Sequence, residues 1–236
     1  MKNPARGGGR WVEVAPDRLV TWVKSFVARH PDVAVTTTDR DIVTFTAADG
    51  AAAECHVPFP PMPAAGADAS PVGAGGDDGG AAAAAAGQIV HHCTADRTVG
   101  VLLVRLGGYA AGVFTGSPPR LAASKVGSRL VHGRSAAGGQ SQQRFARRRE
   151  KQAAVAMSAA ADTAAAVFGQ FDGGLDAVVL GGDRRAVAAL RDDPRLKRYF
   201  ALATDRFLTV PDPRLTVLRD TPRLFLAVMI RLTEPG

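Results

Sequence analysis

The tripeptide Gly138-Gly139-Gln140 combines residue types that could position a water molecule for hydrolysis. Glycine lacks a Cβ atom, so its backbone can adopt positive φ and approach a bound substrate closely. The side-chain amide of Gln140 can orient water toward a carbonyl carbon, while its backbone N–H can donate a hydrogen bond to the developing oxyanion. Because glutamine does not titrate near neutral pH, this chemistry would depend on positioning rather than on proton transfer by the side chain.

Positive charge is concentrated around this tripeptide. The segment 120–151 contains nine Lys or Arg residues and one acid, Glu150, which gives it a formal charge of +8. The whole chain carries +7, so the remaining residues sum to −1. One cationic patch on a near-neutral body favours a polyanionic partner, although the composition is also typical of a solvated helix face. The candidate phosphate-binding residues are Lys125, Arg129, Arg134, Arg144, Arg147 and Arg148.

The residues around the tripeptide resemble a known family. His132-Gly133-Arg134, Gly138-Gly139-Gln140-Ser141 and Arg144-Phe145-Ala146-Arg147 match the pattern of the middle domain of eukaryotic and archaeal class-I release factors. The similarity is closer to the Vms-like release factors, especially their compact actinobacterial branch, whose Lys-Val-Gly-Ser-Arg sequence is similar to 125–129. Agreement also covers 11–60 and continues loosely through 178–182.

This resemblance implies a ribonuclease-H-like α/β (α+β) fold, in which helices flank a mixed sheet, preceded by an N-terminal extension of a helix and strands. It also implies a peptidyl-tRNA hydrolase that frees nascent peptides on stalled or dissociated large ribosomal subunits, as in ribosome-associated quality control. Gln140, Gly139 and Gly138 would be the catalytic residues, and the six cations would bind acceptor-stem or ribosomal RNA. The implied partners are peptidyl-tRNA and the large subunit, with no cofactor or metal.

Several departures from the family pattern limit what it implies. Ser135, Ala136 and Ala137 separate the Gly-Arg pair from the tripeptide, which predicts a longer loop than in class-I release factors. No segment resembles a stop-codon-reading domain or a GTPase-docking domain, so termination at stop codons is not expected. We interpret His132 as a structural residue of the loop stem and Ser141 as a helix N-cap.

Two alternative functions share the cationic patch. A tRNA 3′-end nuclease would need clustered carboxylates for two-metal chemistry, and the predicted hairpin 98–115 contains no Asp or Glu. A non-catalytic RNA-binding adaptor for ribosome rescue would not need Gln140.

The apolar pattern predicts the elements that position the tripeptide. We predict a helix from Pro16 to about His30, strands over 33–37, 41–46 and 51–57, a hairpin of 98–106 with 109–115, a strand over 128–131 and a long helix over 141–168. A strand over 177–180, helices over 184–191 and 195–199, and a last strand or helix over 224–230 follow. Residues 1–10 are predicted to be a flexible tail. Residues 11–236 are predicted to form one domain with a disordered Ala/Gly-rich insertion at 64–87.

The apolar runs indicate a cytoplasmic protein, and we expect it to be monomeric when free. Cys55 and Cys93 are too few for a disulfide scaffold, and we expect both to be reduced core residues. The run His91-His92-Cys93 lacks the spacing of a zinc site, and on a strand its side chains would point to opposite faces. No apolar run is long enough to predict a membrane span or a secretory signal.

Overall fold

The computed structural model describes residues 3–4, 9–38, 41–63, 78–105, 108–128 and 141–235, without the side chains of 3, 4, 78, 141–151 and 153. The chain divides into two compact units where the sequence predicted one domain over 11–236. Unit 1 comprises Met1–Ala95 and Leu226–Gly236, and unit 2 comprises Asp96–Phe225.

The described part of the chain contains both strands and helices. The strands are β1 (Asn3–Pro4), β2 (Arg10–Val14), β3 (Ala34–Thr38), β4 (Ile42–Thr46), β5 (Ala52–His56), β6 (Val99–Arg105), β7 (Gly108–Thr115), β8 (Arg120–Ser128), β9 (Ala177–Gly182), β10 (Ala203–Leu208) and β11 (Val228–Thr233). The helices are α1 (Pro16–Val27), α2 (Asp78–Cys93), α3 (Ser141–Phe168), α4 (Arg184–Ala188), α5 (Lys197–Phe200), α6 (Leu215–Arg219) and α7 (Thr221–Phe225). Within these described residues, no helix is both long and apolar enough to cross a membrane.

Unit 1 is an antiparallel sheet with α1 and α2 packed on one face. Its strand order is β1-β2-β11-β5-β4-β3, so the last strand of the chain is inserted between β2 and β5. Alternation of buried and partly exposed residues gives β4 and β5 one buried face each, as shown by Val43 and Phe45 on β4. The helix α1 begins with Pro16 in its first turn and buries Leu19, Val23 and Phe26 on this face.

The helix α2 corrects the prediction of disorder over 64–87. It begins at Asp78, so the last part of that Ala/Gly-rich segment is helical, while 64–77 lies outside the described residues. Ala82, Ala86 and Ile89 are fully buried in the unit 1 core, where they pack with α1. A short Ala-rich helix is marginal in water, and burial of this stripe is what stabilises it.

The first residues also differ from the predicted flexible tail. Asn3 and Pro4 pair with Trp11 and Arg10 as an antiparallel edge strand, and Arg10 itself belongs to β2. The remaining tail positions, 1–2 and 5–8, lie outside the described residues.

Unit 2 has the mixed sheet predicted from the resemblance. The strand order is β10-β9-β6-β7-β8, with β6, β7 and β8 antiparallel and β9 and β10 parallel to β6. Three consecutive antiparallel strands, a crossing helix and a fourth strand returning beside the first give the ribonuclease-H-like arrangement. The predicted fold class is confirmed.

The strand β8 lies earlier in the sequence than predicted. We predicted a strand over 128–131, whereas β8 spans Arg120–Ser128 and pairs with β7 along its length. As an edge strand it contacts a partner on one side only, and its residues lack the apolar alternation that sequence reasoning relies on. The predicted hairpin and the long helix agree with β6, β7 and α3.

Candidate functional site

The candidate catalytic tripeptide lies in the connection between β8 and α3. Gly138, Gly139 and Gln140 fall outside the described residues, as do Arg129, His132 and Arg134. The two elements that flank this connection are described. β8 ends at Ser128, and α3 begins at Ser141, which follows Gln140 directly in the chain.

The end of β8 is fixed by a close contact with β7. Ser128 pairs with Gly108, and Gly127 pairs with Tyr109. A Cβ atom on Gly127 would lie 2.6 Å from Cε2 of Tyr109, so the tyrosine ring occupies the space that any other side chain would need. Glycine in this part of the Lys125–Arg129 sequence therefore has a packing reason.

Strand register places the end of β8 beside the ends of three other strands. Val104 pairs with Gly182 on β9 and with Tyr109 on β7, and Gly181 pairs with Leu208 on β10. We call this end of the unit 2 sheet, where β6, β8, β9 and β10 terminate and β7 begins, the loop end. Adjacent strands are about 4.8 Å apart, so Ser128 and the end of β6 are roughly 10 Å apart.

The helix α3 is longer than the strands it covers. Its 28 residues measure about 42 Å, whereas the seven residues of β6 measure about 23 Å. The last residue, Phe168, lies against Gly100 near the start of β6, so the excess length is at the N-terminal end of the helix. That end directly follows Gln140 in the chain.

The C-terminal half of α3 anchors the helix to the sheet. Among the described side chains of α3, burial begins at Ala156 and continues as a stripe made of Ala160, Ala161, Thr163, Ala164, Val167 and Phe168. This stripe packs on Leu102, Val104, Ala111, Val113, Val178 and Leu180. Small alanine side chains allow the helix backbone to lie close to the sheet, and about 22 Å of helix separates Ala156 from Ser141.

Of the six predicted cations, Lys125 is the one whose side chain is described. It is exposed on β8 and pairs with Ala111, which is buried beneath α3, so Lys125 lies on the face of the sheet that carries the helix. Arg144, Arg147 and Arg148 belong to the first turns of α3, and their side chains lie outside the described set.

Formal charge is divided unequally between the two units. Unit 2 contains 21 Lys and Arg against 11 Asp and Glu, a net of +10, whereas unit 1 contains 8 against 11, a net of −3. The two values sum to the +7 of the chain. The positive field therefore belongs to the unit that contains the tripeptide.

The described acids near the strand ends of unit 2 make structural contacts. The Asp176 carboxylate accepts a hydrogen bond from the Thr98 N–H at 2.7 Å. The Asp183 carboxylate accepts from the backbone N–H groups of Arg185 and Ala186 at 2.7 and 3.2 Å and so caps α4. Across the described part of the chain, no group of three or more His, Cys, Asp or Glu residues could hold a metal ion. A carboxylate cluster for a nuclease is not found there.

The residues His91, His92 and Cys93 lie on α2, not on a strand as we predicted. The Nε2 atom of His92 is 3.0 Å from the carbonyl oxygens of Pro58 and Phe59, a distance at which its N–H donates to them. Cys55 and Cys93 are both buried free thiols, as expected. Burial, with a smaller effect of Cys93, raises the pKa of Cys55 to about 12, so this thiol stays protonated and unreactive.

A family model matches the sequence of unit 2 and the first part of β11. The model is that of the actinobacterial and chloroflexi VLRF1 release factor, and the match covers residues 97–231, more than half of the chain. The chain belongs to this release-factor family. The match begins just before β6 and includes the tripeptide, α3 and all of the loop end. No curated protein matches the sequence.

Three solved structures match this chain in a structural comparison. An archaeal translation termination factor, aRF1, has a TM-score of 0.39 at 10% identity, with 92% of this chain and 66% of that chain covered. The Vms1 mitochondrial localization core has a TM-score of 0.38 at 8% identity, covering 93% and 84%. A protein described only as archaeal has a TM-score of 0.36 at 13% identity, covering 89% and 62%. The chain therefore spans just under two thirds of the aRF1 chain.

Sequence reasoning missed a group of arginines at the loop end. Arg105 ends β6, Arg184 and Arg185 begin α4 after β9, and Arg214 precedes α6. The doublet Arg184-Arg185 follows a predicted strand, which is the sequence signal that could have indicated it. Strand order brings Arg105, Arg184 and Arg185 to one end of the sheet, and the contact of Pro213 with Gly108 brings Arg214 there.

Proposed function

We propose that this protein is a peptidyl-tRNA hydrolase that releases nascent peptides on stalled or dissociated large ribosomal subunits. The observation that carries the proposal is the position of Gly138-Gly139-Gln140 in a release-factor family member, directly before a helix that is about 20 Å longer than the strand beneath it. A long helix anchored at its far end suits delivery of a short sequence into a narrow active centre.

In the proposed reaction, water attacks the carbonyl carbon of the ester that joins the peptide to the 3′ oxygen of tRNA. A C–O bond forms to water, the bond to the 3′ oxygen breaks, and that oxygen takes a proton. The Gln140 amide orients the water, and its backbone N–H donates to the oxyanion or the leaving oxygen. Substrate or ribosomal RNA supplies general-base assistance, because Gln140 does not titrate.

The N-terminus of α3 adds a favourable potential to this reaction. The first backbone N–H groups of a helix lack partners within the helix, and the aligned peptide dipoles place partial positive charge there. Negative charge that develops on the ester oxygen next to Gln140 would be stabilised by that field. Gly138 and Gly139 permit the close backbone approach that this arrangement needs.

RNA recognition in the proposal depends on phosphate contacts. Lys125, Arg129, Arg134, Arg144, Arg147 and Arg148 would bind the tRNA acceptor stem or ribosomal RNA, and the +10 charge of unit 2 supports a polyanionic partner. The protein would act in the cytoplasm as a monomer when free, without a cofactor. Reversing Arg144, Arg147 and Arg148 to Glu should weaken RNA binding and flatten its salt dependence.

The decisive test is Gln140→Ala with Gln142→Ala as the matched control. The substitution keeps the backbone N–H but removes the amide that orients water, so peptide release from peptidyl-tRNA on large subunits should slow by on the order of 10²-fold, while binding persists. Gln142→Ala removes the same group within α3 and should release peptide at the normal rate.

The tRNA product separates the alternatives. Ester hydrolysis leaves an intact 3′ end that can be aminoacylated again, whereas a 3′-end nuclease leaves shortened tRNA. An adaptor would bind RNA without accelerating release. Normal release by Gln140→Ala, or recovery of truncated tRNA, would refute the proposed mechanism.

A further inference from the structure

The loop end of the unit 2 sheet presents four arginines from three separate chain segments. Arg105 is the last residue of β6, Arg184 and Arg185 are the first residues of α4, and Arg214 follows β10. Strand pairing places Arg105, Arg184 and Arg185 together, since Val104 pairs with Gly182. Arg214 is placed at the same end by its neighbour Pro213, which lies 3.6 Å from the Cβ position of Gly108 at the start of β7. All lie at the end of the sheet where β8 leads into the tripeptide connection.

Two of these guanidinium groups are held in place by neighbouring residues. Arg105 donates from Nη1 to the Val210 carbonyl at 2.8 Å, and its Nε lies 3.6 Å from the Asp212 carboxylate. Its side chain nevertheless remains 42% exposed. The Arg184 guanidinium lies 4.3 Å from the centre of the Phe207 ring, a stacked position on an exposed residue. Preorganised arginines lose less side-chain entropy when they bind a phosphate.

The net formal charge of the loop end stays positive when the neighbouring acids are counted. Asp183 caps α4, and Asp212 is 74% exposed beside Arg105. Four arginines against these two carboxylates give a formal +2, and Lys125, on β8 near the same end, raises it to +3. Guanidinium groups bind phosphate oxygens in a bidentate manner, which favours a phosphodiester backbone over a single carboxylate.

We propose that Arg105, Arg184, Arg185 and Arg214 form a second RNA-binding surface that contacts phosphates of a backbone whose reactive end is at the tripeptide. This inference rests on the proposed function for its partner. The five strands of the sheet measure about 19 Å across, a width that covers several consecutive phosphates. The surface would set the orientation of the RNA and would read no base sequence.

The test compares two triple charge reversals. The first replaces Arg184, Arg185 and Arg214 with Glu and leaves Arg105, which is bonded to the chain after β10. The control replaces Arg120, Lys197 and Arg223 with Glu, which changes the net charge equally. These control residues are exposed and lie at the opposite end of the sheet, because Thr115 pairs with Arg120, Tyr199 packs on Phe168 and Phe225 packs on Phe114.

Binding is measured for each variant as a function of salt, with isolated tRNA in one arm and large ribosomal subunits lacking tRNA in the other. We expect the first variant to bind at least about tenfold more weakly near physiological salt, with the salt slope reduced by about 1 for each lost contact. The control should show a smaller loss. A loss in the tRNA arm supports the proposed surface, whereas a loss confined to the arm with large subunits would assign these arginines to ribosomal RNA and refute the proposal.

The proposal would be refuted if both variants lost the same affinity in both arms, or if the first variant bound RNA as tightly as the wild type. Thermal unfolding of both variants establishes that they fold. The two proposals fail separately. If Gln140→Ala releases peptide normally while the first charge-reversal variant binds RNA weakly, the proposed hydrolase mechanism is refuted and the RNA-binding surface is supported. If Gln140→Ala slows release while the first charge-reversal variant binds RNA normally, only the surface is refuted.

Discussion

Replacing Gly127 with Ala should strain the end of β8 through its contact with Tyr109. The new Cβ would lie 2.6 Å from Cε2 of the tyrosine, well inside van der Waals contact. Overpacking costs about 1–3 kcal/mol. Because the contacted atoms are at the far end of a partly buried side chain, which can move, we expect a loss of about 1–2 kcal/mol in the free energy of unfolding.

A double-mutant cycle isolates this contact. In a Tyr109→Ala background the ring is gone, so Gly127→Ala should be neutral or stabilise the strand by about 0.5 kcal/mol, as Ala loses less backbone entropy than Gly. The coupling energy between the two positions should therefore be about 1–2 kcal/mol. In thermal unfolding, Gly127→Ala should lower the melting temperature of the wild type by several degrees, at about 2–4 °C per kcal/mol. The same substitution should not lower the melting temperature of the Tyr109→Ala variant.

Peptide release provides the functional part of the test. Gly112→Ala is the matched control, because its Cβ would meet Leu218 Cδ2 at 2.9 Å and Leu121 Cδ1 at 3.0 Å in the middle of β7. We expect Gly127→Ala to slow release more than Gly112→Ala at equal loss of stability, since Gly127 adjoins the start of the tripeptide connection. If the stability changes of Gly127→Ala and Tyr109→Ala are additive, the predicted contact between these residues is refuted. Equal release rates would refute the positioning role.

Three further predictions test the packing and the titration of the fold. Gly182→Ala should lower the free energy of unfolding by about 2 kcal/mol or more, because φ is +102° and the new Cβ would lie 2.8 Å from the Val104 carbonyl carbon. Gly173 has a φ of +77° and open space around its Cβ position, so Gly173→Ala should lower the free energy of unfolding clearly less in the same assay. Ile89→Ala should lower the free energy of unfolding by about 2–5 kcal/mol, because Ile89 is fully buried, and an unchanged melting temperature would refute the packing of α2 in the unit 1 core. The pKa of His56 is lowered from 6.5, chiefly by burial, so the stability due to its neutral form is lost as pH falls below that value. His56→Gln should therefore lose less stability than wild type between about pH 7 and pH 5, and identical losses would exclude this role.

Elements with strong local patterns could be predicted from their residues alone. The absence of Gly and Pro from 141–168 predicted α3 to its first and last residues, because helix propensity acts over the whole segment. Continuous β-prone runs joined by Gly107-Gly108 predicted the hairpin of β6 and β7. The tripeptide and its flanking residues indicated the release-factor family, which the family match confirms.

Elements that need distant partners could not be predicted from local patterns. β8 has a weak apolar pattern and is a strand because it pairs with β7, and β11 joins β2 across almost the whole length of the chain. The segment that became α2 has the composition of a disordered linker, and burial of one alanine face against α1 supplies the free energy that its own sequence lacks.

The candidate site divides in the same way. Residue types around Gln140 predict water positioning because that chemistry depends on local groups, and this stays a prediction. The arginines of the loop end could not be predicted together, since Arg105 and Arg184 are far apart in the chain and come to one end of the sheet through the parallel pairing of β6 and β9. Sequence specifies which groups are available, and non-local strand pairing decides which of them share a surface.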